Sequence, residues 1–470
     1  MQSHDPYGMD KYITQPNLRL RQVSPDKYIE IHGVDANGIY EQYKKQCTIR
    51  AAVIRGDPRG KFQPLLVAQS LYDCGKYNEA LTTLKQSVGD PQVDQKQSAA
   101  LQEKSLKRIK ESQSLCYDMQ EIHEQCSQNS LVNFGDYVSP KITRTNNKQF
   151  GNHFIANDNI KIGELIIFEK NVILYKVVNP TVGCTQLLYT MTDYELDKFA
   201  SKYVGGDFDD KMQKNLFSIG YNGDDSIEGF YPQATYINHS CDNNVYRFFA
   251  ANMIGIVACK NIQKGDQIFI SYYRPAEMSR EDILSLGRKY DFKCKCSYCT
   301  NINNPIITKF PYIVQQLQGV IPTPTQLIND SQTGIKFLKE LKTLKQQNIG
   351  SQYYEMLGAM TASSVSFNPN SEQVIETVLD YFNEIGMPQN DNNFSNMKYI
   401  LDVNSLLIFY SLIMAYHSTK QYDKFIQTLI LAYNYYNMAT AGLTNFYRDS
   451  VEELLKYHRY RRFIALFKTK

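Results

Sequence analysis

A chain of 470 residues, 43% of them hydrophobic, is too long for one ordinary core and carries enough apolar mass for two or three domains. A formal net charge of +3 over that length excludes a strong sequence-independent grip on nucleic acid. No apolar run approaches the roughly 20 residues that span a bilayer, and the opening MQSHDPYGMD lacks the charged-then-apolar order of a secretory signal, so a soluble protein of the cytoplasm or nucleus is expected, with its ten cysteines as thiols or metal ligands rather than disulfides.

Within the first 60 residues only Tyr40 to Val53 reads as a helix. From Phe62 the pattern sharpens: Leu65, Leu66, Ala68, Leu71 and Tyr72 recur at helical spacing before Gly75-Lys76-Tyr77, and Ala80, Leu81 and Leu84 resume it. This is the pattern of a tetratricopeptide-type (TPR-like) hairpin, which cannot bury its apolar face alone. Ala99 to Glu124 supplies the required partner helix, with Lys104, Lys107, Arg108 and Lys110 expected on a solvated face.

After Asn133-Phe134-Gly135-Asp136 and Ser139-Pro140 the pattern turns to short strands, with Ile160, Ile162, Leu165, Ile166 and Ile167 around Gly163-Glu164. From about residue 305 it is helical again, notably over Leu406 to Tyr416 and Phe425 to Tyr436, and Gln421-Tyr422 between them resembles the turn at Gly75-Lys76-Tyr77. Phe367-Asn368-Pro369-Asn370 and the run from Pro388 to Asn396 separate helical hairpins. The basic stretch Lys456 to Arg462 reads as a solvated last helix turn.

Cys294, Cys296 and Cys299 offer three soft ligands from one tight loop, and tetrahedral zinc needs a fourth from elsewhere. Cys259, in Ile256-Val257-Ala258-Cys259, reads instead as a thiol on a buried strand.

Five stretches carry a family resemblance: Asn215-Leu216-Phe217-Ser218-Ile219, Gly229-Phe230-Tyr231-Pro232, Tyr236-Ile237-Asn238-His239-Ser240-Cys241, Gly265 to Tyr273, and Cys294 to Cys299. Together they resemble a SET-domain methyltransferase core, and within that family the SET and MYND (SMYD-like) lysine methyltransferases, over roughly residues 146 to 300. The resemblance implies an α+β fold: a SET-type β core with a zinc-bound post-SET loop over 146–303, flanked by TPR-like helical regions at 1–145 and 304–470. Residues 170 to 215 contain only Cys184, so the MYND zinc finger of that group is absent, and a polar helical insert around Asp193 to Lys198 stands there instead.

The resemblance further implies S-adenosylmethionine as methyl donor and a protein lysine as acceptor. It nominates Cys241 as the fourth zinc ligand, Tyr272 as the catalytic tyrosine, and Gly151, Asn152, His153, Phe154, Asn215, Asn238, His239, Tyr272, Tyr290 and Phe292 as the cofactor-binding set. His153 departs from the family pattern, which has Gly at that place for close backbone approach. Two functions therefore stand side by side: an active protein-lysine N-methyltransferase, and a SET-fold protein serving as a structural or interaction subunit. In either case protein partners are expected at the helical flanks, with no direct nucleic-acid or membrane contact.

Overall fold

A computed structural model of the chain describes residues 64–443, apart from 123–133, 178–184, 190–213, 219–226, 274–282, 301–323 and shorter breaks. The expected helix at Tyr40 to Val53, Cys184, the insert at Asp193 to Lys198 and the basic stretch at Lys456 to Arg462 lie outside the described residues. In chain order the elements are α1 (Pro64–Asp73), α2 (Tyr77–Gln86), α3 (Gln95–Ser114), β1 (Tyr137–Val138), β2 (Ile142–Asn147), β3 (Gly151–Ala156), β4 (Leu165–Lys170), β5 (Ile173–Val177), β6 (Thr185–Tyr189), β7 (Phe217–Ser218), β8 (Ile227–Phe230), β9 (Asn238–His239), β10 (Val245–Ala250), β11 (Met253–Ala258) and β12 (Phe269–Ile270). They continue with α4 (Ser297–Thr300), α5 (Pro324–Thr343), α6 (Ser351–Val365), α7 (Ser371–Ile385), α8 (Asn404–Ser418) and α9 (Tyr422–Ala439). None of the described helices is long and apolar enough to cross a membrane.

The chain forms two compact units, the first from Met1–Val138, Ile167–Thr235 and Phe249–Gly255. In it α1 and α2 pack together as a helical hairpin. Gly75, at φ +75°, lets the Lys76 N–H reach the Leu71 carbonyl and its own N–H reach the Tyr72 carbonyl, both at 2.9 Å, and this pair of bonds satisfies the last carbonyls of α1. Leu71, Tyr72, Tyr77, Ala80, Leu84 and Leu101 of α3 close the hairpin's core.

Lys104, Lys107 and Lys110 are exposed as expected, but Arg108 is not on the solvated face: it is 3% exposed. Its Nη1 donates to Glu111 Oε1 at 2.6 Å, its Nη2 to Glu121 Oε1, and its Nε to the Tyr72 hydroxyl at 3.2 Å. Glu111 in turn accepts the Gly135 N–H at 3.1 Å, and Tyr77 donates its hydroxyl to the Phe134 carbonyl at 2.6 Å. A guanidinium can be buried because several acceptors surround it, a condition that helical periodicity does not reveal. The strand order β6-β5-β8-β7, all antiparallel, completes the described sheet of this unit, and β1 pairs with β4 at Tyr137↔Phe168 and Val138↔Ile167.

The second unit consists of Ser139–Ile166, Tyr236–Phe248 and Ile256–Lys470. Strands β2 and β3 form an antiparallel hairpin in register from Ile142↔Ala156 to Asn147↔Gly151. The strand expected around Ile160 and Ile162 starts later, at Leu165, because Gly163 at φ +84° turns the chain there; Ile160 keeps a single bridge to Ile262. Helices α5 to α9 pack as consecutive neighbours, and α6 also contacts α8. One apolar core joins parts of this unit far apart in sequence, combining Ile162, Cys241, Cys259 and Tyr298 with Leu357, Met360, Phe382, Phe409 and Phe425.

The likeness between Gln421-Tyr422 and Lys76-Tyr77 is a likeness of backbone. Lys76 stands at φ −87°, ψ 58° and Gln421 at φ −85°, ψ 66°, each directly before a helix that opens on tyrosine. Helix α8 ends as α1 does, with the Gln421 N–H on the Tyr416 carbonyl at 2.9 Å and the Lys420 N–H on the His417 carbonyl at 3.1 Å.

Candidate active site and metal centre

The site grows from two strands of two residues each. Strands β9 and β12 pair in parallel, Phe269↔Asn238 and Ile270↔His239, and the Ser240 N–H extends the ladder to the Ile270 carbonyl at 3.1 Å. So short a ladder needs help, which Asn244 supplies: its Nδ2 donates to the Gln267 carbonyl and its Oδ1 accepts the Phe269 N–H, both at 2.8 Å. The segment from Tyr236 to Cys241 is thereby held beside the segment from Gly265 to Tyr273.

This pairing sets the state of His239. Its Nδ1 accepts the Tyr272 N–H at 3.0 Å, so in the neutral ring the proton sits on Nε2, which faces Cys241 Sγ at 3.3 Å. Burial, opposed by a hydrogen bond with Cys294, holds the imidazole below its ordinary pKa and keeps it neutral. Tyr273 stands on the other side, its ring 4.4 Å from that of His239 and its hydroxyl 3.8 Å from Cys241 Sγ.

Tyr272 donates its hydroxyl to the Ile237 carbonyl at 3.0 Å. Burial raises its pKa well above that of a free phenol, so it remains protonated at neutral pH and cannot act as a general base. Its ring meets Tyr290 at 5.3 Å, His239 at 5.2 Å and Phe292 at 6.1 Å between centroids, largely edge-on.

Asn238 Nδ2 donates to the Phe150 carbonyl at 2.9 Å, tying this strand to the turn before β3. There Gly151 adopts φ +62°, and no atom lies within 4 Å of where its Cβ would stand, so its backbone is open to close approach by a cofactor. Asn152 is half-buried and its Oδ1 accepts from Asn146 Nδ2 at 3.0 Å. His153 is 2% exposed, with Nδ1 at 2.9 Å from the Gly151 carbonyl and its ring against Phe150, so its imidazole lines no open space. Phe154 is buried edge-on to Tyr236, over whose ring the Arg144 guanidinium lies at 4.8 Å. Asn215 belongs to the first unit, where it is buried and its carbonyl lies 3.4 Å from the Thr235 hydroxyl.

The four sulfurs of Cys241, Cys294, Cys296 and Cys299 lie within 4.8 Å of one another, with Cys241 and Cys299 at 3.4 Å. A zinc tetrahedron with bonds of about 2.3 Å has sulfur edges of about 3.8 Å, so the set fits that ion. Hydrogen bonds from Cys241, Cys296 and Cys299 hold the Cys294 thiol far below its usual pKa, and the bond from Cys241 leads those that lower Cys296 to about 7. The same hydrogen bonds push the Cys241 thiol far up, and the Cys299 thiol is also raised, so the cluster shares its thiolate character unequally, and a metal taking all four as thiolates would release protons. Cys259 is fully buried just beyond β11, outside the cluster, where burial pushes its thiol up to about 12.

The second unit therefore brings together the Gly151–Phe154 strand, Asn238, His239, Tyr272, Tyr290, Phe292 and the four cysteines. Sequence reasoning did not single out Tyr273 or Asn244, although both lie within or beside the motifs, nor Ser351 and Gln352, which meet Cys241 from more than 100 residues away and leave no local signal.

Residues 151–273 match the family model of the SET domain. The chain is similar to histone-lysine N-methyltransferase ASHR1 of Arabidopsis thaliana, with 36% identity over 77 residues, 16% of each protein. It is similar to a SET domain-containing protein of Dictyostelium discoideum, with 27% identity over 209 residues, 36% of this chain and 53% of that one. It is also similar to the human N-lysine methyltransferase SMYD2, with 26% identity over 113 residues, 22% of this chain and 26% of that one. The chain thus spans about half the length of one of these relatives and about a quarter or less of the other two.

Proposed function

Taking the SET domain at residues 151–273 as the premise, we propose that this chain is an S-adenosylmethionine-dependent protein-lysine N-methyltransferase with one structural zinc. The observation that carries the reading is Tyr272: a buried, neutral phenol anchored to the Ile237 carbonyl and ringed by His239, Tyr290 and Phe292. The donor, when bound, supplies an electrophilic methyl on a sulfonium. The chain has to align an amine in line with that methyl, not to provide a nucleophile.

A lysine ammonium must first lose a proton, which from a pKa near 10.4 costs about 4 to 5 kcal/mol at neutral pH. An apolar aromatic surround disfavours the ammonium and reduces that cost without a general base. The Tyr272 oxygen, fixed at its own ring and at Ile237, then orients the deprotonated amine and the methyl between them. Gly151 to Phe154, Asn238, His239, Tyr290 and Phe292 make up the cofactor-binding set of the second unit, with His153 contributing backbone because its ring is turned into the hairpin. Cys241, Cys294, Cys296 and Cys299 hold the zinc, and the helical flanks, TPR-like in sequence, receive protein partners or the substrate protein.

His153 favours a second reading, a SET-fold interaction subunit without catalysis, because a side chain stands where the family keeps a bare backbone. Calorimetric titration of the full chain with S-adenosylmethionine separates the two. Saturable one-to-one binding is expected; no heat of binding at millimolar donor would leave the interaction subunit.

A further inference from the structure

The first turn of α6 closes on the carbonyl of a zinc ligand. Gln352 is completely buried, and its Nε2 donates to the Cys241 carbonyl oxygen and to Glu355 Oε2, the latter at 3.1 Å. Ser351 Oγ lies 3.4 Å from the same carbonyl and 3.4 Å from Asn243 Oδ1. The next residue secures the join from the other side: Asp242 Oδ1 accepts the Ser351 N–H at 2.9 Å and pairs with Lys260 Nζ at 2.6 Å. Gly350 stands at φ +65°, and a Cβ there would collide with the Asp242 carboxylate, so the helix starts hard against the metal-ligand segment.

We propose that Gln352 and Ser351 are positioning residues for the metal centre, acting through the peptide of Cys241. The inference rests on the zinc reading above. Its physical content is that a buried carbonyl held by the Gln352 amide, with the Ser351 hydroxyl shared between it and Asn243, fixes the peptide plane after Cys241, and with it the direction of the Cys241 Cα–Cβ bond toward the other three sulfurs. His239 Nε2 and the Tyr273 hydroxyl act on the sulfur itself, whereas α6 acts on the backbone behind it. Without the Gln352 donor the carbonyl loses its main partner and Cys241 gains freedom to leave the tetrahedron. The helical half of the unit would in this way set how long the metal stays bound, a role that no hydrogen bond of mere helix packing requires.

The test uses the full chain, unaltered and carrying Gln352→Met, which keeps volume and removes the donor. Metal content, the sulfur-to-metal charge-transfer spectrum after cobalt exchange, and the rate of metal release to a chromogenic chelator are measured. Gln352→Met should release metal about tenfold faster, the scale of outer-shell losses at metal sites, and shift the cobalt spectrum. Ser351→Ala, a smaller change that decides the matter if Gln352→Met does not fold, should release it about threefold faster. Val378→Ala, a core truncation on α7, should lower the melting temperature and leave the release rate unchanged. Release from both α6 variants at the unaltered rate, or equal acceleration by Val378→Ala, would overturn the proposal. An unaltered chain that binds no metal would overturn the zinc reading itself, a different and separable failure.

Discussion

Glu169 is 2% exposed, yet its carboxylate accepts the Gln233 N–H on both oxygens, at 2.9 and 3.0 Å, and the Ala234 N–H at 2.6 Å. Burial, with the Asp136 carboxylate adding to it, raises its pKa from 4.5 to about 8. The sign follows from linkage: the folded chain holds a proton that the unfolded chain releases near pH 4.5. The stability is fully present below pH 4.5 and is lost as pH rises through about 8. Glu169→Gln keeps an acceptor and removes the titration. Chemical denaturation at pH 5 and pH 8.5 should show the unaltered chain losing a few kcal/mol more than the variant; parallel losses would mean that this carboxyl is ionised throughout. Residues of this kind were not legible in the sequence. The three clustered cysteines stood out by their metal-ligand spacing, whereas Asn238, His239 and Tyr272 stood out only through the family resemblance of the motifs around them. Arg108, Glu169 and Gln352 owe their roles to partners brought in by tertiary folding, and in sequence they are an ordinary surface arginine, a glutamate inside an apolar run and a helix-opening glutamine.

At the scale of elements, the two turns with matching geometry differ in the residue at the left-handed position. Gly75 occupies it after α1, but Lys420 occupies it after α8, at φ +59°. A side chain there costs roughly 1 to 2 kcal/mol, partly offset by the greater freedom of glycine in the unfolded chain. Lys420→Gly should therefore stabilise the protein by about 0.5 to 1 kcal/mol in a urea titration with an unchanged slope. A destabilised variant would show that the lysine side chain makes a contact worth more than the strain. The long helices were legible because a 3.6-residue period repeats over several turns, as in α8 and α9. Strands β9 and β12 were not: two residues carry no period, and only the family resemblance placed Asn238 and His239 in a strand-like segment. Ile160 and Ile162 misled for a related reason, since their apolar side chains are buried from a turn rather than from a strand.

Across the whole molecule, the least legible property was which segments share a core. Apolar periodicity marks a face to be covered without saying what covers it, and Cys241, Cys259 and Tyr298 turn out to share a core with helices α5 to α9. The Ile400 N–H on the Cys259 carbonyl at 2.9 Å, Tyr399 beside Asn243 at 3.2 Å and Met438 against Gly163 show the same joining at the level of single contacts. The catalytic claim can be put to the test without a known substrate. Single-turnover transfer of a labelled methyl group from S-adenosylmethionine to a lysine peptide library is measured for the full chain and for Tyr272→Phe, with donor binding followed in parallel. The account predicts that Tyr272→Phe binds the donor as the unaltered chain does and transfers the methyl a hundredfold to a thousandfold more slowly, the loss of about 2.7 to 4 kcal/mol expected from removing one placed polar contact in the transition state. Equal single-turnover rates for the two chains would contradict it.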